Sequence, residues 1–285
     1  MISRRVRTIA ASAPQYPQAL LDLDNVPDPL YAIGDIEILG MPLVSIVGTR
    51  DATSYGLRTA RSIATALARA GVGIVSGMAR GIDAAVHHAV LQAGGSTVAV
   101  LGTGIDVPYP VGHTELHRVI SEKGLVLSEN EPGSTAHKGS FPKRNRIIAA
   151  LGKATIVIEA GHKSGALNTA RHALEMGRPV AAVPANIDSE KSAGTNHLLR
   201  DGALLIATVE DALAIAGVSA VTQAEPVQLG DSEARVWAAI GSETLAVDLV
   251  AERARLPARE CLASITSLEL SGMVESLITG EVRRR

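Results

Sequence analysis

Short apolar runs recur through the middle of the chain at 43–47, 72–76, 96–101, 124–128, 154–159, 179–183 and 203–206. Between most of them lie helical stretches such as Gly56–Ala70, Ile82–Ala93 and Ala166–Met176. A buried strand reads as a short continuous apolar run, whereas a surface helix repeats its apolar positions every three or four residues. Strands alternating with helices predict right-handed crossovers and an α/β fold with a doubly wound, mostly parallel sheet over residues 41–216. Before it, residues 1–40 hold punctuated apolar pairs (Tyr16-Pro17, Leu20-Leu21, Pro29-Leu30-Tyr31), which predict a short N-terminal helical lead. After it, residues 217–230 have linker composition. Residues 231–285 then predict three helices, Glu233–Ile240, Leu245–Ala254 and Arg259–Leu270, and a hairpin of Met273–Leu277 with Val282–Arg284 turning at Thr279-Gly280. Three helices and a hairpin make a winged helix-turn-helix.

Ligands of doubly wound folds sit beyond the carboxyl ends of the strands. The segments there are Gly48-Thr49-Arg50, Gly77 through Gly81, Gly102-Thr103-Gly104 with Tyr109-Pro110, Glu129 through Arg146, Gly161 through Gly165, and Pro184 through Gly194. Nearly every glycine-rich or basic segment of the domain therefore falls on one rim.

Composition sharpens this. Phe141 is the only phenylalanine in 285 residues, and Lys143, Arg144 and Arg146 follow it, with Lys138 just before. A ring beside cations suits a nucleic acid, the ring stacking on a base while the cations neutralise phosphates. The structural alternative has Phe141 capping a buried helix end and the charges forming a solvated face. The shared rim favours the groove. Gly48-Thr49-Arg50, before a helix start at Ser54-Tyr55-Gly56, and Lys163-Ser164-Gly165 offer an anion backbone N–H groups and cations. Asn145 is placed to hold the loop or to bond a base edge. The net charge is −2, but residues 41–216 carry 17 basic and 14 acidic side chains, so a basic footprint has to be local.

Other chemistries fit less well. No Gly-x-Gly-x-x-Gly joins a strand to a helix, so no dinucleotide cofactor is expected. Gly161–Gly165 lacks Walker spacing, and Ser76-Gly77 lacks the Gly-x-Ser-x-Gly context of a nucleophile elbow. His113 and His117 lie four apart without a third ligand, so no metal is expected. Glu129, Glu131 and Glu159 read as carboxylates that orient arginines and free amides. Cys261 is the single cysteine, and no apolar run approaches the length of a membrane span. With no signal-like start, the chain reads as cytoplasmic. An alternative is a nucleotide or nucleoside-phosphate hydrolase using Gly161–Thr169 and Glu159. A third reading is a transcription regulator acting through the winged helix, although Arg259–Leu270 has one basic residue and two acidic ones, Glu260 and Glu269. A protein-contact role suits that helix better, with Arg283-Arg284-Arg285 able to touch phosphate.

These residues resemble the DprA/Smf family of DNA-processing proteins of natural transformation. The likeness runs through Val47-Gly48-Thr49-Arg50, Ser76 through Asp83, Tyr109-Pro110, Ser128-Glu129, Phe141 through Arg146, Ser164-Gly165 and the winged helix. It implies an extended Rossmann domain that binds single-stranded DNA without catalysis and forms homodimers. It also implies loading of a RecA-type recombinase onto strands covered by single-strand-binding protein. Residue by residue, Arg50 and Phe141 would contact DNA, with Lys143, Arg144 and Arg146 lining the pocket. Ala185 and Val111 depart from the family pattern of glycine and of a basic residue at those places.

Overall fold

The computed structural model describes residues 6–137, 139–218, 229–241, 243–270, 273–277 and 280–284. Most of the expected linker, Lys138, Thr279 and Arg285 lie outside them. The chain divides into two compact units, residues 1–221 and 222–285.

The first unit begins with β1 (Arg7–Ile9), β2 (Leu30–Gly34), β3 (Leu43–Val47), α1 (Ser54–Arg69), β4 (Gly73–Ser76) and α2 (Ile82–Gln92). It continues with β5 (Thr97–Gly104), α3 (Thr114–Lys123), β6 (Leu125–Asn130), α4 (Ser140–Leu151), β7 (Thr155–Val157) and α5 (Gly165–Glu175). It closes with β8 (Val180–Ala182), α6 (Ala193–Arg200), β9 (Leu204–Leu205) and α7 (Val209–Ile215). Among the described residues these strands form one sheet in the order β1-β2-β6-β5-β4-β3-β7-β8-β9. Pairings from β6 to β9 are parallel, and those of β1 with β2 and β2 with β6 are antiparallel. The stretch from β5 to β9 repeats the Rossmann strand order, and β6, β2 and β1 extend it. The expected α/β class is the observed one.

The N-terminal lead is a correction. Its helices are short 3₁₀ turns at Gln18–Leu20 and Ile36–Gly40, and the rest supplies two antiparallel strands at one end of the sheet. Punctuated apolar pairs do not distinguish short strands from short helices, and here backbone pairing with β6 decides.

Alternation along the strands explains the two apolar layers. Leu43 and Val47 of β3, Val75 of β4 and Val157 of β7 pack with Ile147, Ile148 and Leu151 of α4 and Ala170 of α5. Val44, Ile46, Ile74 and Ile156 face the other way, against Ile63 and Leu67 of α1 and Val86 and Val90 of α2. Successive strand side chains point to opposite faces, so a strand covered on both sides reads apolar throughout. The buried serines of β3 and β4 are satisfied: Ser45 Oγ donates to Ile148 O (2.6 Å) and Ser76 Oγ to Ile46 O (2.7 Å).

The second unit runs α8 (Asp231–Ile240), β10 (Leu245–Ala246), α9 (Val247–Ala254), α10 (Ala258–Leu270), β11 (Val274–Ser276) and β12 (Glu281–Arg284). Its strands pair in the order β10-β12-β11, the expected winged helix. Leu245 and Ala246 belong to a strand, because they pair with Val282 and Glu281. Cys261 is buried in this unit's core beside Val236 and Val250, and burial raises its thiol pKa. Two of the three arginines expected to reach phosphate, Arg283 and Arg284, are engaged elsewhere. Arg283 pairs with Glu275 at 3.1 Å, and the Arg284 guanidinium stacks 4.0 Å over the Trp237 ring.

Candidate functional site

The chain leaves β3, builds β4, β5 and β6 on one side, then crosses back through α4 to β7 on the other. Beyond the carboxyl ends of β3 and β7 the loops diverge, and this reversal point is where doubly wound sheets open a crevice. A cavity of about 590 Å³ lies there, lined by Gly48, Thr49 and Arg50 after β3 and by Lys163, Ser164 and Gly165 after β7. A second cavity, about 450 Å³, adjoins it beneath Arg80, Tyr109 and His113. Arg50, Ala79, Phe141 and Arg144 line both, which makes one groove along the rim.

Phe141 stands in the first turn of α4, half-buried at the junction of the two cavities. Its ring centroid is 4.9 Å from that of Tyr109, tilted by 37°, and 5.1 Å from the Arg50 guanidinium carbon. Tyr109 is 40% exposed, so the pair offers flat apolar surface to the groove. The ring is therefore neither sealed in the core nor capping a buried end.

The three basic residues after Phe141 separate. Arg144 is buried beneath the groove, where its guanidinium donates to the carbonyls of Gly77 (2.8 Å) and Val100. Burial lowers its pKa to about 10 against the opposing pull of the Asp83 carboxylate. Burial raises the pKa of Asp83 in turn, against the charge of Arg144 and the amides of Ala79 and Gly77. Arg144 is thus a buried positive charge under the floor, one that a bound anion meets indirectly.

Arg146 lines neither cavity, which corrects the expectation that it does. Its two terminal nitrogens each lie 2.9 Å from a Glu129 oxygen, and one also donates to Asn25 O. Lys143, more exposed, reaches the same carboxylate at 2.9 Å and likewise lies outside the groove. Glu129 therefore orients cations as the sequence suggested, but it draws them away from the ligand space. Asn145 lines the groove and donates to Gly165 O (3.1 Å), tying α4 to the start of α5.

Backbone amides at the start of α1 are also taken. Thr49 N donates to Glu159 O (2.7 Å), Thr53 N to Glu159 Oε2 (2.9 Å), and Gly56 N to Thr53 Oγ1 (3.1 Å). Glu159 is a buried brace between β7 and α1, so its carboxylate is not presented to a ribosyl bond. Around α5, Ser164 Oγ accepts from Ala166 N at 3.3 Å, while Lys163 stays exposed on the cavity wall.

The glycines have definite work. A Cβ at Gly77 would lie 2.6 Å from the Arg144 guanidinium, and one at Gly102 would lie 2.9 Å from Phe141 Cδ1. Gly48 gives room to Ile82, whose Cγ1 would be 2.4 Å away. Its role is to seat α2 against β3. Arg80 and Tyr109 belong to the site but were passed over by residue-type reasoning. Their places after β4 and β5 on the rim were the available signal. His113 Nδ1 contacts Met78 O (2.9 Å) and His117 Nε2 contacts Ile105 O (2.9 Å), and no metal-binding cluster occurs among the described residues.

Comparison with known proteins places the chain. Residues 7–217 match the family model of DNA recombination-mediator protein A, and residues 220–278 match the DprA winged helix domain. A Mycobacterium tuberculosis DprA protein is 38% identical over 256 residues, 86% of this chain and 66% of its own length. The chain thus spans just under two thirds of that relative. DNA processing protein A from Streptococcus pneumoniae superposes with a TM-score of 0.71 at 39% identity, covering 74% of each chain. The Helicobacter pylori protein, described for its single-stranded DNA binding mode, gives 0.68 at 32% identity over 76% of this chain and 96% of its own. The chain belongs to the DprA/Smf family of DNA-processing proteins.

Proposed function

We propose that this protein binds single-stranded DNA in the rim groove, without reading its sequence, and passes the strand to a RecA-type recombinase. The observation that carries the reading is the half-buried Phe141 ring, held between Tyr109 and Arg50 at the junction of the two cavities. A flat aromatic pair flanked by guanidinium groups suits an unpaired base with its phosphates, and such stacking tolerates any base. In this reading the base stacks on the Tyr109–Phe141 pair. Arg50 and Arg80 meet phosphates on one side and Lys163 on the other, while Arg144 supplies positive potential from below. Supporting it, the Helicobacter pylori relative is described by its single-stranded DNA binding mode, and the family by recombination mediation. Handover to the recombinase, contact with single-strand-binding protein, assembly as a homodimer and a role free of catalysis follow from the family reading. Binding isotherms for single-stranded and duplex oligonucleotides across a salt series test it. The proposal expects tighter binding of the single strand at every salt concentration. Equal or tighter binding of duplex would overturn it.

A further inference from the structure

The surface arginines of the first unit divide into two sets. Some are paired: Arg118 with Glu115 and Glu122, Arg171 with Glu175, Arg178 with Asp22 and Arg200 with Asp201. With respect to the described residues, Arg50 and Arg80 of the groove are not, and neither are those of helix α1. Its sixteen residues include Arg58, Arg61 and Arg69, all exposed, and no carboxylate. Among the described residues these three side chains have no ion pair or hydrogen bond. At 100° per residue Arg58 and Arg69 fall on one line of the helix, with Arg61 beside it.

Arg61 and Arg69 also flank a shallow hollow of about 420 Å³, whose other lining residues are Ser62, Thr65, Ala66 and Val209. Arg61 and Arg69 stand about 12 Å apart along the helix axis with two hydroxyl side chains between them, chemistry that suits an anion. Helix α1 itself starts four residues after Arg50, which lines the groove. Arg80 lines the groove and leads into α2, where burial, and then the charges of His113 in the groove wall and of Arg61 on α1, lowers the pKa of His88. Arg58, Arg61 and Arg69 therefore follow Arg50 along α1.

We propose that this hollow is a second phosphate-binding subsite, which takes the backbone of the same single strand after it leaves the groove past Arg50 and along α1. The inference rests on the groove reading. It assigns phosphate binding on α1 to Arg61 and Arg69, with Ser62 and Thr65 as hydroxyl donors. Binding tracks the sugar-phosphate chain there and involves no base.

The test uses the full chain and the double variant R61Q/R69Q, both positions being exposed. Oligonucleotides of about 5 and about 16 nucleotides bracket the span of one single-strand site. The variant should bind the short strand as the wild type does. On the long strand its plot of log affinity against log salt should be shallower by about 0.7 for each phosphate no longer neutralised. The paired-arginine variant R118Q should match wild type on both lengths. Equal long-strand slopes for wild type and R61Q/R69Q would overturn the subsite while leaving the groove intact. An equal loss in R118Q would overturn it as mere net charge. Unchanged long-strand binding with loss of recombinase capture would assign the hollow to an acidic protein surface instead. Failure of the wild type to bind even the short strand would overturn the groove and the subsite together.

Discussion

Gly102 lies directly beneath Phe141: a methyl group there would sit 2.9 Å from the ring's Cδ1, closer than packed carbons approach. The strand end is bare so that the ring can settle against Tyr109. Gly102→Ala should therefore push the ring off its place while the buried sheet survives. We expect an affinity loss for single strands approaching that of deleting the ring, about 1–3 kcal/mol, read by fluorescence anisotropy. Wild-type affinity in this variant would show that the ring's position is immaterial.

Arg144 and Arg50 line the same groove yet should fail differently. Arg144 is buried and donates to the Gly77 and Val100 carbonyls, so Arg144→Met leaves those buried acceptors without a donor and should cost about 1–3 kcal/mol of folding stability. Arg50 is exposed and has no ion pair among the described residues, so Arg50→Ala should leave stability within about 0.5 kcal/mol. Urea denaturation of both variants distinguishes these outcomes. Similar midpoints would remove the structural role given to Arg144.

Salt dependence isolates the groove cations. Arg50→Ala and Lys163→Ala should each flatten the salt plot by about 0.7, the value for one phosphate left without its cation. Lys143→Ala should not, because its ammonium is turned to Glu129 outside the groove. An equal flattening for Lys143→Ala would place that ammonium on the strand after all.

His87 carries a pH prediction. It is fully buried, its Nδ1 lies 2.7 Å from Thr97 Oγ1, and that hydroxyl donates to Ile74 O, so Nδ1 carries the proton. Nε2 is left buried without a partner. Burial, helped by the charges of His88, Arg144 and His113, lowers the pKa to about 3, against about 6.5 for a free imidazole. Between these values the unfolded chain holds the extra proton, so this contribution is complete above about pH 6.5 and is lost as pH falls toward 3. The loss approaches about 1.4 kcal/mol per pH unit within that window. His87→Leu should flatten the slope of stability against pH there, and a wild-type slope would refute the assignment.

Much of the architecture was legible because buried parallel strands announce themselves as continuous apolar runs, and the rim followed from strand order. The N-terminal strands were not, since three-residue edge strands such as Arg7–Ile9 carry no period. Within the site, Phe141 stood out by its rarity. The fates of Arg144 and Arg146 could not be read, because they depend on Gly77 and Glu129, brought in from 67 and 17 residues away. Residue type alone makes all arginines equivalent, and burial separates them. Gly48 lines the groove, and the room left by its missing Cβ is taken by Ile82 from behind, a role its residue type does not announce.

Equilibrium binding of Phe141→Ala to a single-stranded oligonucleotide at fixed salt tests the central claim most directly. With folding stability confirmed, we predict affinity weakened by about 1–3 kcal/mol, roughly five- to 150-fold, with little change in salt slope. Affinity equal to that of the wild type would contradict the account.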